Sequence, residues 1–181
     1  MKYGKLDLGQ IEAIVNKLGG MDGVQRFLSD ELIVITKGVT QQNNVLPIDY
    51  RMSLQQMIAA GNYDWVNGDI TTQRFPHAQD GQTEITVELI HFDRTISSED
   101  AIDELRHRGL RPATIAELLA YGARFPEEQR KFPIIALGSV AGLGGGRDVP
   151  SLDGCGGGRD LGLDWWDGGW GGDCRFLAVR N

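Results

Sequence analysis

Cysteine is scarce in this 181-residue chain. The two that occur, Cys155 and Cys174, lie 19 positions apart. Two isolated thiols make neither a disulfide framework nor a zinc site. With no secretory leader in front of them they are expected as free thiols, with a disulfide between them as the alternative. Histidine is equally sparse. His77 and His107 fall in a loop and a basic helix end, His91 at a strand end, and none has a partner at metal-ligand spacing. No apolar run approaches the roughly 20 residues that cross a bilayer, so no membrane insertion is expected. The opening Met1-Lys-Tyr-Gly-Lys-Leu-Asp7 lacks a leader pattern. The expected compartment is therefore the cytoplasm, with surface display left to a partner. Positive charge is in deficit, 18 Lys and Arg against 25 Asp and Glu, for a net charge of −7. That balance argues against nucleic acid as a partner, because phosphate recognition draws on clustered cations. The one short basic run, Arg106-His-Arg-Gly-Leu-Arg111, reads as a helix C-terminus, where cations are favoured.

Glycine, by contrast, is abundant and concentrated. Residues 138–181 hold 14 glycines, six aspartates, both cysteines and three of the four tryptophans. Large apolar anchors interrupt the glycines, and the chain closes on a strand pattern, Arg175-Phe-Leu-Ala-Val-Arg180. A disordered glycine tail lacks such anchors. The composition predicts an ordered scaffold with positions whose side chains have no packing duty. With 41% hydrophobic residues the chain can bury one domain's core.

Along the chain, Asp7 caps an expected helix to about Leu18, with Leu8, Ile11, Ile14, Val15 and Leu18 on one face. A short helix around Val24, Phe27 and Leu28 and a strand at Leu32-Ile-Val-Ile-Thr36 follow. Residues 1–38 are too few to bury a core alone, and are expected as a helical extension that packs on the main domain or on a second copy. From 39 to 181 the pattern is that of one α+β domain. Its elements are a helix from Leu54 to Ala60 and an alternating strand from Thr83 to Phe92. A helix then starts at Ser97-Ser-Glu-Asp100 and stops at Gly109. Another opens with the capping-box pair Thr114 and Glu117 and ends near Gly122. A strand over Phe132–Leu137 leads into the glycine-rich region. The loop aromatics Tyr63, Trp65 and Phe75 are read as anchors to the core.

The helix pair, Ile96-Ser-Ser-Glu-Asp-Ala-Ile-Asp-Glu-Leu105 and Gly109-Leu-Arg-Pro-Ala-Thr-Ile-Ala-Glu-Leu-Leu-Ala-Tyr-Gly-Ala-Arg124, resembles the two-helix segment of C-type-lectin-like domains. The similarity is to the formylglycine-generating-enzyme branch, whose second helix opens with an Arg-Leu-Pro-Thr-x-x-Glu-like motif. Here the motif reads Arg111-Pro112-Ala113-Thr114 with Glu117. Phe176-Leu-Ala-Val-Arg180 resembles the closing strand of that fold, and the resemblance covers about residues 83–181. It implies an α+β, C-type-lectin-like fold in which first and last strands pair and long C-terminal loops project from one end.

Within that fold the tail resembles the variable region of proteins diversified by retroelements, where asparagine codons are rewritten through their adenines. Gly, Asp, Arg and Cys are all reachable in that way. The resemblance then implies a hypervariable, ligand-binding surface, with a protein or surface ligand as the partner. Its candidate binding residues are Arg147, Asp148, Asp153, Cys155, Arg159, Asp160, Asp164, Trp166, Asp167, Trp170, Asp173 and Cys174. Trp166 and Trp170 are the expected exposed anchors, since aromatics supply large contact area at low entropic cost. If Leu161, Leu163 and Trp165 face inward, Trp166 must face out. A second reading of the glycines stays open, that they serve tight turns.

Other chemistry finds little footing. Gly142-Leu-Gly-Gly-Gly146 follows an apolar strand, but no helix start lies behind it to cradle a phosphate. The Glu-Pro-Asn-like loop of calcium-dependent lectins is absent. Asp160, Asp164, Asp167 and Asp173 remain conceivable oxygen ligands, but read better as solvated loop residues. No cofactor, metal or catalytic residue is assigned. The expectation is a non-enzymatic, protein-binding module. Two alternatives stand beside it: a formylglycine-generating-like oxidoreductase using Cys155 and Cys174, and a structural protein that forms homo-oligomers through residues 1–38.

Overall fold

A computed structural model describes residues 45–77, 81–154 and 156–180, together with Glu12, Val15, Asn16, Gly20, Met21 and Val24. By its internal contacts the chain divides into two units, Met1–Gln42 and Asn43–Asn181. In the first, Glu12, Val15, Asn16, Met21 and Val24 are helical. The rest of the expected helical extension, and the strand expected at residues 32–36, lie outside the described residues.

The second unit is α+β, with three helices against a mixed nine-stranded sheet. In chain order its elements are β1 (Val45–Asp49), α1 (Leu54–Gly61), β2 (Trp65–Val66), β3 (Gln82–Ile90), α2 (Ser98–His107), β4 (Leu110–Pro112), α3 (Ile115–Arg124), β5 (Ile134–Ile135), β6 (Ala141–Leu143), β7 (Gly146–Asp153), β8 (Asp160–Trp165) and β9 (Arg175–Arg180). A short 3-10 turn, Trp166–Gly168, follows β8. The main sheet path is β1-β3-β9-β5-β7-β8-β2, with β4 paired to β9 and β6 to β7.

Local signals explain most of the elements. Ser53 opens α1 with a full capping box, its hydroxyl accepting from Gln56 N while Gln56 returns a bond to Ser53 N. Ser97 caps α2 by accepting from Asp100 N. At α3 the Glu117 carboxylate reaches back to Thr114 N at 2.6 Å. The last strand, β9, pairs antiparallel with β3, Val87 opposite Val179 and Ile90 opposite Phe176. Strand β9 thus lies inside the sheet, between β3 and β5. The strand expected over residues 132–137 shortens to Ile134–Ile135. Pro133 has no N–H to give the ladder, and a turn begins at Leu137.

Two cores flank the sheet. The first gathers Leu54, Met57, Leu118, Leu119, Leu152 and Leu161 between the sheet and α1 and α3. The second gathers Ile96, Leu105, Val149, Trp166, Trp170 and Phe176 under α2 and the C-terminal loop. Both faces of β7 are therefore buried, Leu152 serving the first core and Val149 the second. Along β1, the last strand of the sheet path among the described residues, Tyr50 N donates to Gly81 O, so alternate residues turn toward β3 and Pro47 turns the other way. Its missing donor sits where a further strand would have to bond, which blunts that edge.

The Arg-Pro-Ala-Thr-x-x-Glu motif has a physical reason. Glu117 is buried, and its carboxylate takes two bonds from the Arg111 guanidinium, one from Thr114 N and one from the Tyr50 hydroxyl. Burial alone raises its pKa. The Arg111 bonds and the Thr114 N–H more than offset that, leaving the carboxyl below its ordinary range. The same burial, with the Glu117 charge second, pushes the Tyr50 phenol up to about 12.

Candidate functional site

The glycine-rich region folds back on itself as the hairpins β6–β7 and β7–β8, then crosses to α2 before returning as β9. Gly144 and Gly145, both with positive φ, form the β6–β7 turn. Strand follows them rather than helix, so no helix N-terminus stands behind this loop to hold a phosphate.

The C-terminal loop is clasped by the first turn of α2. Ser98, fully buried, donates its hydroxyl to Trp166 O at 2.8 Å and accepts from the Trp170 indole N–H at 2.9 Å. Glu99 accepts from the Trp166 indole N–H at 2.7 Å. That bond, ahead of the Arg147 charge, holds the Glu99 carboxyl below its usual range. A two-way bridge between Ile96 and Trp170 closes the clasp. Ser98 and Glu99 are thus organising residues of the site that sequence reasoning read only as a helix start.

This clasp reverses the expected roles of the tryptophans. Trp166 and Trp170 are 7% and 5% exposed and belong to the second core, whereas Trp165 is 58% exposed. Strand alternation does hold along β8, where Leu161 is buried and Leu163 half-buried. By Trp165 the strand has run past the edge of the core, and the 3-10 turn that follows rotates Trp166 back inward. Trp65, expected as a loop anchor to the core, is likewise exposed, at 52%.

Arg159 is also corrected. It is 6% exposed, and its guanidinium donates to Gly61 O, Asn62 O and Gly122 O. Those carbonyls end α1 and lie in the last turn of α3, so the cation sits where two helix dipoles present negative charge. Its ring contact with Tyr63, 5.0 Å to the centroid, completes the seat. Arg159 ties β8 to two helices and has little surface left for a partner.

The remaining candidates separate into two groups. Arg147 pairs with Asp167 and Glu99 and lies 5.0 Å over the Trp166 ring, closing the loop from outside. Asp153, Asp164, Trp170 and Cys174 come together, with Trp165, Ile135 and the glycines 168, 169 and 171, around a cleft of about 320 Å³. Asp173 stands beside Cys174, its carboxylate 4.0 Å from the sulfur. Asp148 faces Trp165 across the hairpin, and Asp160 offers its carbonyl to Gln129. Cys155 lies outside the described residues, and with it any pairing of the two thiols.

Cys174 is half-buried and is in no disulfide among the described residues. Burial first, then the Asp173 charge and those of Asp164 and Asp153, push it up. A thiol so placed stays protonated near neutral pH and is a poor nucleophile. Among the described residues no group of three or more His, Cys, Asp or Glu is placed to hold a metal ion, and no helix is long and apolar enough to cross a membrane.

Room for new side chains is unevenly distributed among the glycines. A Cβ at Gly154 would lie 2.8 Å from Arg130 Cα and 2.9 Å from Gln129 O, so this position requires glycine. A Cβ at Gly168 meets only Trp165, at 3.4 Å. One at Gly171 meets the movable tip of Asp173. Both line the cleft. No protein-family model, curated protein or solved structure matches this chain.

Proposed function

We propose that the Asn43–Asn181 unit is a protein-binding module of C-type-lectin-like fold, and that its C-terminal cleft is a surface diversified in the manner of retroelement variable proteins. One observation carries this reading: the tail divides into residues bound into the framework and residues that line a cleft without packing duty. Trp166, Trp170, Arg159 and Gly154 belong to the first class. Asp153, Asp164, Trp165, Gly168 and Gly171 belong to the second. Glycine, aspartate and cysteine, three of the residue types that rewritten asparagine codons supply, all line the cleft.

The test is at the locus. The reading expects a near-identical template repeat and a reverse-transcriptase gene beside this one, with mismatches confined to template adenines and falling on codons of the second class. A locus without them leaves a plain binding module, and mismatches that fall on Trp170 or Gly154 codons contradict the division itself. The oxidoreductase alternative gains nothing from Cys174, whose surroundings disfavour the thiolate. The oligomerisation alternative concerns residues 1–38, which lie mostly outside the described residues.

A further inference from the structure

The chemistry of the cleft goes further than binding in general. Among the described residues it is lined by two carboxylates, Asp153 and Asp164, and by no lysine, arginine or histidine. Neither aspartate forms an ion pair among the described residues. The three guanidinium groups nearest in the chain are engaged with other partners, Arg159 with the carbonyls of Gly61, Asn62 and Gly122. Arg175 bonds Asp173 O and Cys174 O and lies 4.7 Å from the Phe132 ring centroid. Arg147 is held by Asp167 and Glu99. Asp173, against the Cys174 sulfur, adds negative charge at the same end.

Independently of charge, the cleft is walled by Trp165, an indole more than half exposed where its two near neighbours are buried. The glycines at 168, 169 and 171 line the same cleft and add no side chain to it. An exposed indole face beside two uncompensated carboxylates suits a planar cation. A guanidinium stacks on the ring and offers paired N–H donors to carboxylate oxygens, which an ammonium cannot do.

We infer that the cleft receives an arginine side chain of a partner protein, stacked on Trp165 and bonded by Asp164, with the charge of Asp153 further along the same cleft. This rests on the reading of the C-terminal face as a binding surface. The probe is the blocked peptide acetyl-Gly-Gly-Arg-Gly-Gly-amide, titrated into the full chain while tryptophan fluorescence and amide NMR shifts are followed. Matched peptides carry citrulline, lysine, glutamate or phenylalanine in place of arginine.

The expected result is saturable binding of the arginine peptide, with shifts centred on residues 164–171. Binding should weaken at least about tenfold for citrulline, for Asp164→Asn and for Trp165→Ala, as loss of a charge-assisted bond or of the stacking face requires. Equal binding of arginine and citrulline, or an unaffected Asp164→Asn, overturns the assignment. If the glutamate or phenylalanine peptide binds instead, and Trp165→Ala abolishes it, the cleft is a binding site and the cationic class is wrong. If no peptide shifts residues 164–171 the inference falls, and the reading of the face as a binding surface stands or falls at the locus.

Discussion

At the start of α3 the buried Glu117 carboxylate meets a guanidinium, a phenol and a backbone N–H, whereas Asp153 and Asp164 line the C-terminal cleft without an ion pair among the described residues. Both regions place negative charge near aromatic side chains, yet only the first uses it to hold the fold. Burying a carboxylate is tolerable only when the lost water is replaced bond for bond, and at Glu117 it is. The cleft carboxylates are exposed, and their one bond to the described fold is the Gly154 N–H donated to Asp153. The tryptophans divide in the same way: Trp166 and Trp170 have their indole N–H groups satisfied by Glu99 and Ser98, and Trp165 stands out in solvent. A region can therefore be glycine-rich, acidic and still rigid, provided a few residues take all the packing duty.

The comparison can be broken at its framework end first. Glu117→Ala strands the Tyr50 hydroxyl and the Thr114 N–H while Arg111, 41% exposed, can regain water, and should cost about 1–3 kcal/mol. Urea unfolding measures it. Arg159→Ala should fall in the same range, because the two buried helix carbonyls of Gly61 and Gly122 lose their donor, and that of Asn62 with them. A loss under about 1 kcal/mol in either would put these groups outside the framework.

The tryptophan pair gives the sharpest contrast. Trp170→Ala empties a buried site and should cost about 3–5 kcal/mol, while Trp165→Ala should stay within roughly 0.5 kcal/mol. Equal costs would erase the distinction between the two. Among glycines, Gly154→Ala should cost about 1–3 kcal/mol through overpacking, against near neutrality for Gly168→Ala. Thermal melts of the two variants side by side would show it.

The smallest effect is with pH. The folded pKa of Glu117 lies below its ordinary value. Its contribution is therefore complete above the unfolded carboxyl pKa of about 4.3 and is lost as pH falls through the lower folded value. Glu117→Gln should flatten that part of the acid unfolding curve, and an unchanged acid limb would show the carboxylate to be uncoupled from stability.

Much of the framework was legible in the chain because its signals are local. Ser97 and Thr114 with Glu117 mark α2 and α3 within a turn of their starts, and the alternation at residues 83–92 marks β3. The closing strand was legible for the same reason. The site was harder to read. Which tryptophan faces out is settled by a 3-10 turn and by Ser98, 68 residues before the carbonyl it bonds. Arg159 looked like a surface cation because its partners are carbonyls 37 to 98 residues distant. Strands β7 and β8 were hidden by their glycines, which weaken any strand pattern. The free acidic positions, Asp153 and Asp164, were found by type, since aspartates among glycines rarely carry packing.

The most direct test of the division between framework and cleft is one combined variant. Asp153, Asp164, Trp165, Gly168 and Gly171 would be replaced together by serine and its thermal unfolding compared with the parent chain. A cooperative transition with Tm within about 5 °C of the parent is the predicted result, since none of the five carries the core. Loss of cooperativity, or a fall of about 15 °C or more, would show the cleft residues to be part of the framework and contradict the account.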